Sequence, residues 1–328
     1  MFLMIVYQEN RAMEEINTFE IEPNKVAEYY RNYQNYDASC NIAKQLSFIE
    51  INEDGSTILG SSNMNGRRWD GSLFYFNSPD GLPDQSKAVC ETRFSSGVTD
   101  AKFLASSDMM AIGEDDGSLS VFGITTIARG SPESEEPSPR HFVKKDKNWV
   151  HDDAISAVDN FQCDKNIIVT GGFDKSVLIL NAEGITKEVT YQFAHARPVT
   201  GVSCSWEGSS NVFATGSLDH LALIWDRRQS QPARLALDAK IDVTSVCWRP
   251  SSDSPVLAVG TVRGDVMLVD TRQDCQLLSS FSLSRPVHKL SFSQTSYRDD
   301  RHEDFVRGLA WNSNGALYSC GFDYALRS

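Results

Sequence analysis

Nowhere in the 328-residue chain does an uninterrupted apolar run approach the roughly 18 residues that a membrane-spanning helix requires, which excludes a membrane span of that kind. The opening MFLMIVY is apolar but short. It lacks a basic leader and a small-residue cleavage site and runs directly into Gln8-Glu9-Asn10-Arg11, so a secretory signal is not expected. Basic charge is also scarce, with 31 Lys and Arg against 44 Asp and Glu and a net charge of −13. Too little positive charge remains to neutralise a phosphate backbone, which argues against direct nucleic-acid binding and favours a basic partner. The alternative is that the acidic surface serves solubility alone. The seven cysteines form no Cys-x-x-Cys pair, and several fall on strand positions such as Cys204 and Cys247. They read as reduced, buried, small hydrophobes of a cytoplasmic or nuclear protein.

Catalytic motifs are missing too. There is no nucleophile elbow, no phosphate-binding loop and no glycine-rich dinucleotide turn, so neither an enzyme nor a bound cofactor is expected. The histidines are too dispersed for a metal site, and the acidic turn Glu114-Asp115-Asp116 lacks the alternating ligands of a calcium loop.

What the chain does contain is a repeat. Its most complete copy is Val199–Arg228, VTGVSCSWEGSSNVFATGSLDHLALIWDRR, three short apolar or β-branched segments separated by Gly/Ser and Leu-Asp-His punctuation and ending in Trp225-Asp226. With His195 just upstream, the order predicts a buried polar network. Asp219 accepts from the His195 imidazole, which engages Thr215 or Ser217 and, through the hydroxyl, the Trp225 indole.

Weaker copies run through the chain. Leu46–Phe76 has turns expected at Glu53-Asp54-Gly55 and Trp69-Asp70-Gly71. Val98–Ile124 carries Asp116 at the Asp219 position and Phe122 at the Trp225 position, so its network lacks the indole donor. Ile155–Glu183 follows His151 and carries Asp174, whereas Val243–Arg272 has Arg263 in place of the turn aspartate and Val269 in place of the tryptophan. The turn positions 70, 116, 174, 219 and 263 are 46, 58, 45 and 44 residues apart, against about 40–45 per blade. The long interval holds Arg129–Asn148, a Ser/Pro/Glu-rich stretch read as an exposed loop whose Ser131, Ser134 and Ser138 are candidate phosphorylation sites.

Only 60 residues separate Arg263 from Asp323, yet two inner-strand motifs, VHKLSF from Val287 and FVRGLAW from Phe305, lie in this part of the chain. The expectation is therefore seven blades over residues 46–328, the sixth incomplete and short of roughly 25 residues. Either the sixth blade is defective or residues are missing from the sequence. Uncovered faces and open edges argue for a gap. The seventh blade uses His302 and Asp323 and stops at its third strand, so ring closure is expected from residues just before Leu46. Residues 1–45 do not match the repeat. They read as an N-terminal arm, with a short helix near Lys25–Tyr33, that packs on the propeller, completes the last blade or remains a partly disordered tail.

These repeats resemble the WD40 family, whose fold is an all-β propeller. NGRRWDGSLFYF, HDDAISAV, VDTR and HEDFVRGLAW further resemble the WD40 subunit of the methylosome. That resemblance implies a non-catalytic partner of the type II protein arginine methyltransferase, working in a hetero-oligomer that presents basic substrates such as histones or spliceosomal Sm-type proteins for symmetric dimethylation. It also implies that the hairpin of Gly66, Arg67, Arg68 and Trp69 docks on the methyltransferase, with Arg67 and Trp69 as anchors. The alternative for Trp69 is a core ring closing its own blade. A second functional reading rests on Trp225-Asp226-Arg227-Arg228, which matches the W-D-x-R ending of substrate receptors of cullin-RING ubiquitin ligases; there Trp225, Asp226 and Arg228 would contact the ligase adaptor. A general interaction scaffold is the third.

Overall fold

A computed structural model describes residues 2–4, 45–65, 68–126, 140–206, 211–229, 234–250, 255–272, 275–293, 302, 304–323 and 325–327. The order is all-β. Strand β1 (Phe2–Met4) precedes blade one, made of β2 (Gln45–Ile51), β3 (Thr57–Asn65), β4 (Arg68–Phe76) and β5 (Cys90–Phe94). Blade two is β6 (Val98–Phe103), β7 (Met109–Glu114), β8 (Ser118–Thr126) and β9 (Arg140–Trp149). Blade three is β10 (Ile155–Phe161), β11 (Asp164–Gly172), β12 (Val177–Asn181) and β13 (Thr186–Tyr191). Blade four is β14 (Val199–Cys204), β15 (Val212–Ser217), β16 (Leu221–Asp226) and β17 (Arg234–Asp238). Blade five is β18 (Val243–Trp248), β19 (Val256–Thr261), β20 (Asp265–Asp270) and β21 (Gln276–Ser282). After β22 (Ser291–Ser293) comes blade six, β23 (Val306–Trp311), β24 (Leu317–Gly321) and β25 (Leu326–Arg327). Each blade is an antiparallel meander in sequence order.

The seven-bladed expectation is corrected to six. The VHKLSF segment that was to open a sixth four-stranded blade forms only β22, and its pairing partner is β1, with Leu3 opposite Phe292. An inner-strand motif by itself does not make a blade, because the remaining strands must come from the chain that follows. Val287, Leu290 and Phe292 instead pack on Val256, Ala258 and Val266 of blade five. Across the other boundary, Trp311 Nε1 of blade six donates to Ser291 Oγ at 3.0 Å. The segment is thus a wedge between blades five and six.

The residues before Gln45 that were expected to close the ring lie outside the described residues, and Gln45 itself belongs to blade one. Blades one and six close by packing, with Leu46, Ile49, Leu59, Phe74 and Phe76 against Ala310, Tyr318 and Cys320. At Gly308 a Cβ would lie 2.7 Å from Ile49 N and 3.0 Å from Phe48 Cα, so this contact needs glycine. Two smaller readings change as well. The Ser/Pro/Glu stretch does not run to Asn148 as loop, because Arg140–Trp149 is β9, the outer strand of blade two; Ser131, Ser134 and Ser138 lie outside the described residues. The expected short helix of the N-terminal arm also lies outside them. Cys204 and Cys320 are buried, but Cys163 is exposed.

The inner strands share a device. The single Ser156 Oγ–H is shared between Gly171 O at 2.9 Å in its own blade and Val199 O at 2.7 Å in the next. Thr200 Oγ1 repeats this with Gly216 O at 3.0 Å and Val243 O at 2.8 Å, and Thr244 Oγ1 with Gly260 O at 3.1 Å and Val287 O. At the first boundary the corresponding link is made by Ser62, whose Oγ donates to Val98 O and accepts from Val98 N, both at 3.0 Å. Elsewhere on the inner strands, side-chain oxygens accept from the neighbouring inner strand: Asp100 from Val158 N at 3.1 Å, Asp159 from Cys204 N at 2.7 Å and Ser203 from Trp248 N at 3.1 Å. These bonds satisfy backbone groups that face a neighbouring blade instead of a ladder partner.

Removing a staple while keeping its volume should therefore expose its worth. Thr200→Val should lower the unfolding free energy by about 1–3 kcal/mol, since two buried carbonyls lose a donor. Urea denaturation followed by tryptophan fluorescence measures it, and an unchanged midpoint contradicts the staple.

Candidate functional site

Each blade turns between its second and third strands at one rim of the central channel, and the polar networks sit there. In blade four His195 and Trp225 are buried and contribute to one chain of bonds. Trp225 Nε1 donates to Thr215 Oγ1 at 2.8 Å. An indole is only a donor, so the Thr215 hydroxyl passes its own proton to His195 Nε2 at 2.7 Å, leaving His195 Nδ1–H to donate to Asp219 Oδ2 at 2.9 Å. Ser217, the other candidate for the imidazole, is not part of it: its hydroxyl donates to Pro198 O at 2.9 Å and accepts from Asp219 N at 3.1 Å.

Asp174 takes the same place in blade three, where His151 Nδ1 lies 3.0 Å from it and His151 Nε2 lies 2.8 Å from Thr170 Oγ1. Asp323 does so in blade six, with His302 Nδ1 at 2.9 Å and Ser319 Oγ accepting or donating at His302 Nε2, 2.8 Å away. Asp116 has no histidine. It caps its own turn by accepting from Ser118, while the fully buried Glu114 takes up the blade's polar role, accepting from Ser96 and, at 2.6 Å, from Ser120, and pairing with Lys147 Nζ at 2.7 Å.

Electrostatics follow from burial. Burial alone would lift the Asp219 carboxyl, but the Ala196 amide, His195 and the Leu221 amide hold it below the ordinary value. Burial pulls His195 below its ordinary range despite Asp219 beside it. This rim is built for stability, with its reactive-looking groups fully engaged.

The Trp225-Asp226-Arg227-Arg228 ending is a strand-end clasp. Trp225 and Asp226 are buried, and Arg228 reaches back to Asp226 with Nη2 to Oδ2 at 2.5 Å. Asp270 and Arg272 make the same clasp on blade five at 2.6 Å. Of the three residues proposed for a ligase adaptor, only Arg228 is well exposed.

In blade one, Gly66 and Arg67 lie outside the described residues. Arg68 opens β4 opposite Asn65, and Trp69 follows opposite Met64. Trp69-Asp70-Gly71 is therefore strand and not the expected turn. Two residues on, Gly71 is fixed by crowding, since a Cβ there would meet Ser96 O at 2.6 Å. β4 thus sits close against the segment that leads into blade two, and Trp69 remains 43% exposed. A core ring for this blade is supplied instead by Phe74 and Phe76.

Trp69 also borders the central channel, a cavity of about 1140 Å³ whose walls are the inner strands. Its interior charges are largely balanced. Lys102 Nζ lies 2.9 Å from Glu50 and 3.8 Å from Asp159, and Lys289 Nζ lies 3.5 Å from Asp100. Burial would strip the proton from Lys102, but these carboxylates overcome it and hold the ammonium above its usual range. Glu50 and Asp159 are pushed up by burial, with Lys102 opposing. Among the described residues no three His, Cys, Asp or Glu side chains converge as a metal site.

Two residue sets were not legible from motif reading: the stapling hydroxyls and the channel charges. The hydroxyls had a signal, since each is the second residue of an inner-strand motif, as in Ile155-Ser156-Ala157-Val158 and Val243-Thr244-Ser245-Val246.

Comparison with known proteins supports the repeat reading. The WD domain, G-beta repeat model matches residues 147–181 and 187–226, the blade-three and blade-four region. The chain is 27% identical over 309 residues to the methylosome protein WDR77 of Xenopus laevis, covering 85% of this chain and 87% of that protein. The resemblance to a methylosome WD40 subunit therefore spans most of the chain.

The network generates a pH prediction. An Asp219 carboxyl held below 3.8 contributes stability above that pH and loses it as pH falls further. A histidine held below 6.5 is neutral when folded but gains a proton on unfolding, so its contribution also declines below pH 6.5. His195→Gln should cost about 1–3 kcal/mol at neutral pH. In urea titrations the gap to wild type should narrow as pH falls below 6.5; a gap independent of pH contradicts the neutral imidazole.

Proposed function

We propose that this chain is a non-catalytic WD40 adaptor of the methylosome type, which binds a type II protein arginine methyltransferase and holds basic substrates near it. The observation that carries the reading is the blade-one hairpin. Trp69, a large rigid aromatic that follows Arg67 and Arg68 in the sequence, is exposed at the channel on a strand seated closely at Gly71. Such anchors dominate interface energetics when a partner pocket desolvates them. The likeness to the methylosome protein over 85% of the chain supports the partner's identity.

The division of labour follows from charge. Arg67 and Trp69 anchor the enzyme, and the net charge of −13 draws in basic tails such as those of histones or spliceosomal Sm-type proteins. Attraction of this kind raises the capture rate and orients the substrate more than it adds affinity. The assembly is a hetero-oligomer of cytoplasm and nucleus. The well-defined rim carboxylates Asp174, Asp219 and Asp323 are occupied by histidines, which leaves substrate capture to the remaining acidic surface.

Trp69→Ala should leave the unfolding transition intact, because the side chain is exposed, yet abolish co-elution with the methyltransferase on size exclusion. Retained co-elution contradicts the anchor, and stoichiometric recovery of a cullin-RING adaptor would instead support the receptor reading. Association of the complex with an arginine-rich histone-tail peptide should slow severalfold between low and physiological salt, as screening shortens to about 8 Å. A salt-independent association rate contradicts acidic steering.

A further inference from the structure

The stapling position marks a second site. At the second residue of the inner-strand motifs, those that begin at Leu46, Val98, Ile155, Val199 and Val243, stand Ser47, Thr99, Ser156, Thr200 and Thr244, all hydroxyls. In the wedge and in blade six that position holds His288 and Arg307. Neither makes the inter-blade staple. Both line the central channel, together with Phe322 and Trp69.

Their donors are unused. His288 Nε2 and Arg307 Nε are buried and hydrogen-bond to no described residue. Each is held in place by an aromatic ring instead: Phe305 packs edge-on to the His288 ring at 4.6 Å, and the Arg307 guanidinium carbon sits 5.5 Å over Phe322. Phe305 is itself 45% exposed. The nearby carboxylates do not fill the role. Asp100 accepts from Val158 N at 3.1 Å and faces Lys289, and Asp304 Oδ1 accepts from the Phe305 amide at 2.7 Å.

The electrostatics agree with this geometry. Burial pushes Arg307 below its ordinary range with only partial relief from Asp100, and pushes His288 down to about 4, with Arg307 adding to the effect and Asp304 opposing it. A half-buried guanidinium whose Nε is shut off from solvent and unpaired, and whose desolvation Asp100 relieves only in part, is suited to receive an anion.

We propose that His288 and Arg307 form a carboxylate-binding subsite in the central channel that receives an aspartate or glutamate of a partner protein segment, with a neighbouring apolar residue of that segment against Phe305. Two N–H donors beside one fixed positive charge match the two oxygens and single charge of a carboxylate. A phosphate, carrying nearly two charges, fits less well in a chain of net charge −13. The site is independent of the methyltransferase reading, since it needs only a protein that presents such a segment.

Selection of a random dodecapeptide library on the purified full chain tests this, followed by fluorescence polarisation with the selected peptides. Enrichment of Asp or Glu beside an aromatic or aliphatic residue is expected. Arg307→Gln should weaken the selected peptides on the order of thirtyfold or more, and Arg228→Gln, far from the channel, should not change them. Where Arg307→Gln fails to fold by circular dichroism, His288→Ala gives the answer with a severalfold loss expected. The His288 ring resonance should also titrate at higher pH with peptide bound. Selection of peptides without acidic residues, preference for phosphoserine over glutamate at the enriched position, or binding undiminished in both variants would overturn the proposal.

Discussion

A propeller blade buries its flanks only against other blades, and backbone groups that face across a blade boundary have no ladder partner of their own. Here that constraint is met by a hydroxyl at one recurring position. Ser156, Thr200 and Thr244 each bridge a carbonyl of their own blade and one of the next, so three successive boundaries are held by the same geometry. Glycine at the adjoining strand lets the blades nest; at Gly216 a Cβ would lie 2.7 Å from Val243 Cγ1. The apolar clusters then form between blades as well as within them, as where Phe161 and Val169 of blade three meet Phe213 and Trp225 of blade four.

Where this regularity lapses, the molecule acquires surfaces that its own packing does not consume. Blade four satisfies its network internally, and its Trp225-Asp226 ending is folded into a clasp with Arg228. Blade one has no histidine network among its described residues and leaves Trp69 exposed on its third strand. The wedge and blade six replace the hydroxyl with His288 and Arg307, whose donors remain unmatched. The regular parts of the ring thus consume their polar and aromatic groups in their own packing, and the irregular parts do so less completely.

Much of this was legible in the chain because the repeat fixes spacing. Asp219 lies 24 residues beyond His195, and Asp174 lies 23 beyond His151, so the pairs are readable wherever both members occur. The blade count was not. Seven inner-strand motifs are present, but the motif of Val287–Phe292 has too little chain after it to build outer strands, and its partner comes from residues 2–4, far away in sequence. Local pattern cannot announce a pairing of that range. The turn composition of Trp69-Asp70-Gly71 is overridden for a related reason, because tertiary packing of Gly71 against Ser96 keeps the segment extended.

Under the proposed function, the blade-one hairpin is the anchor by which the ring would engage a methyltransferase. Amide hydrogen exchange of the whole chain, alone and with the type II methyltransferase, reads this residue by residue. Protection on binding is predicted at residues 65–71, with blade four and its Trp225-Asp226 ending unchanged. Protection confined to blade four, or absent from the hairpin, would contradict it.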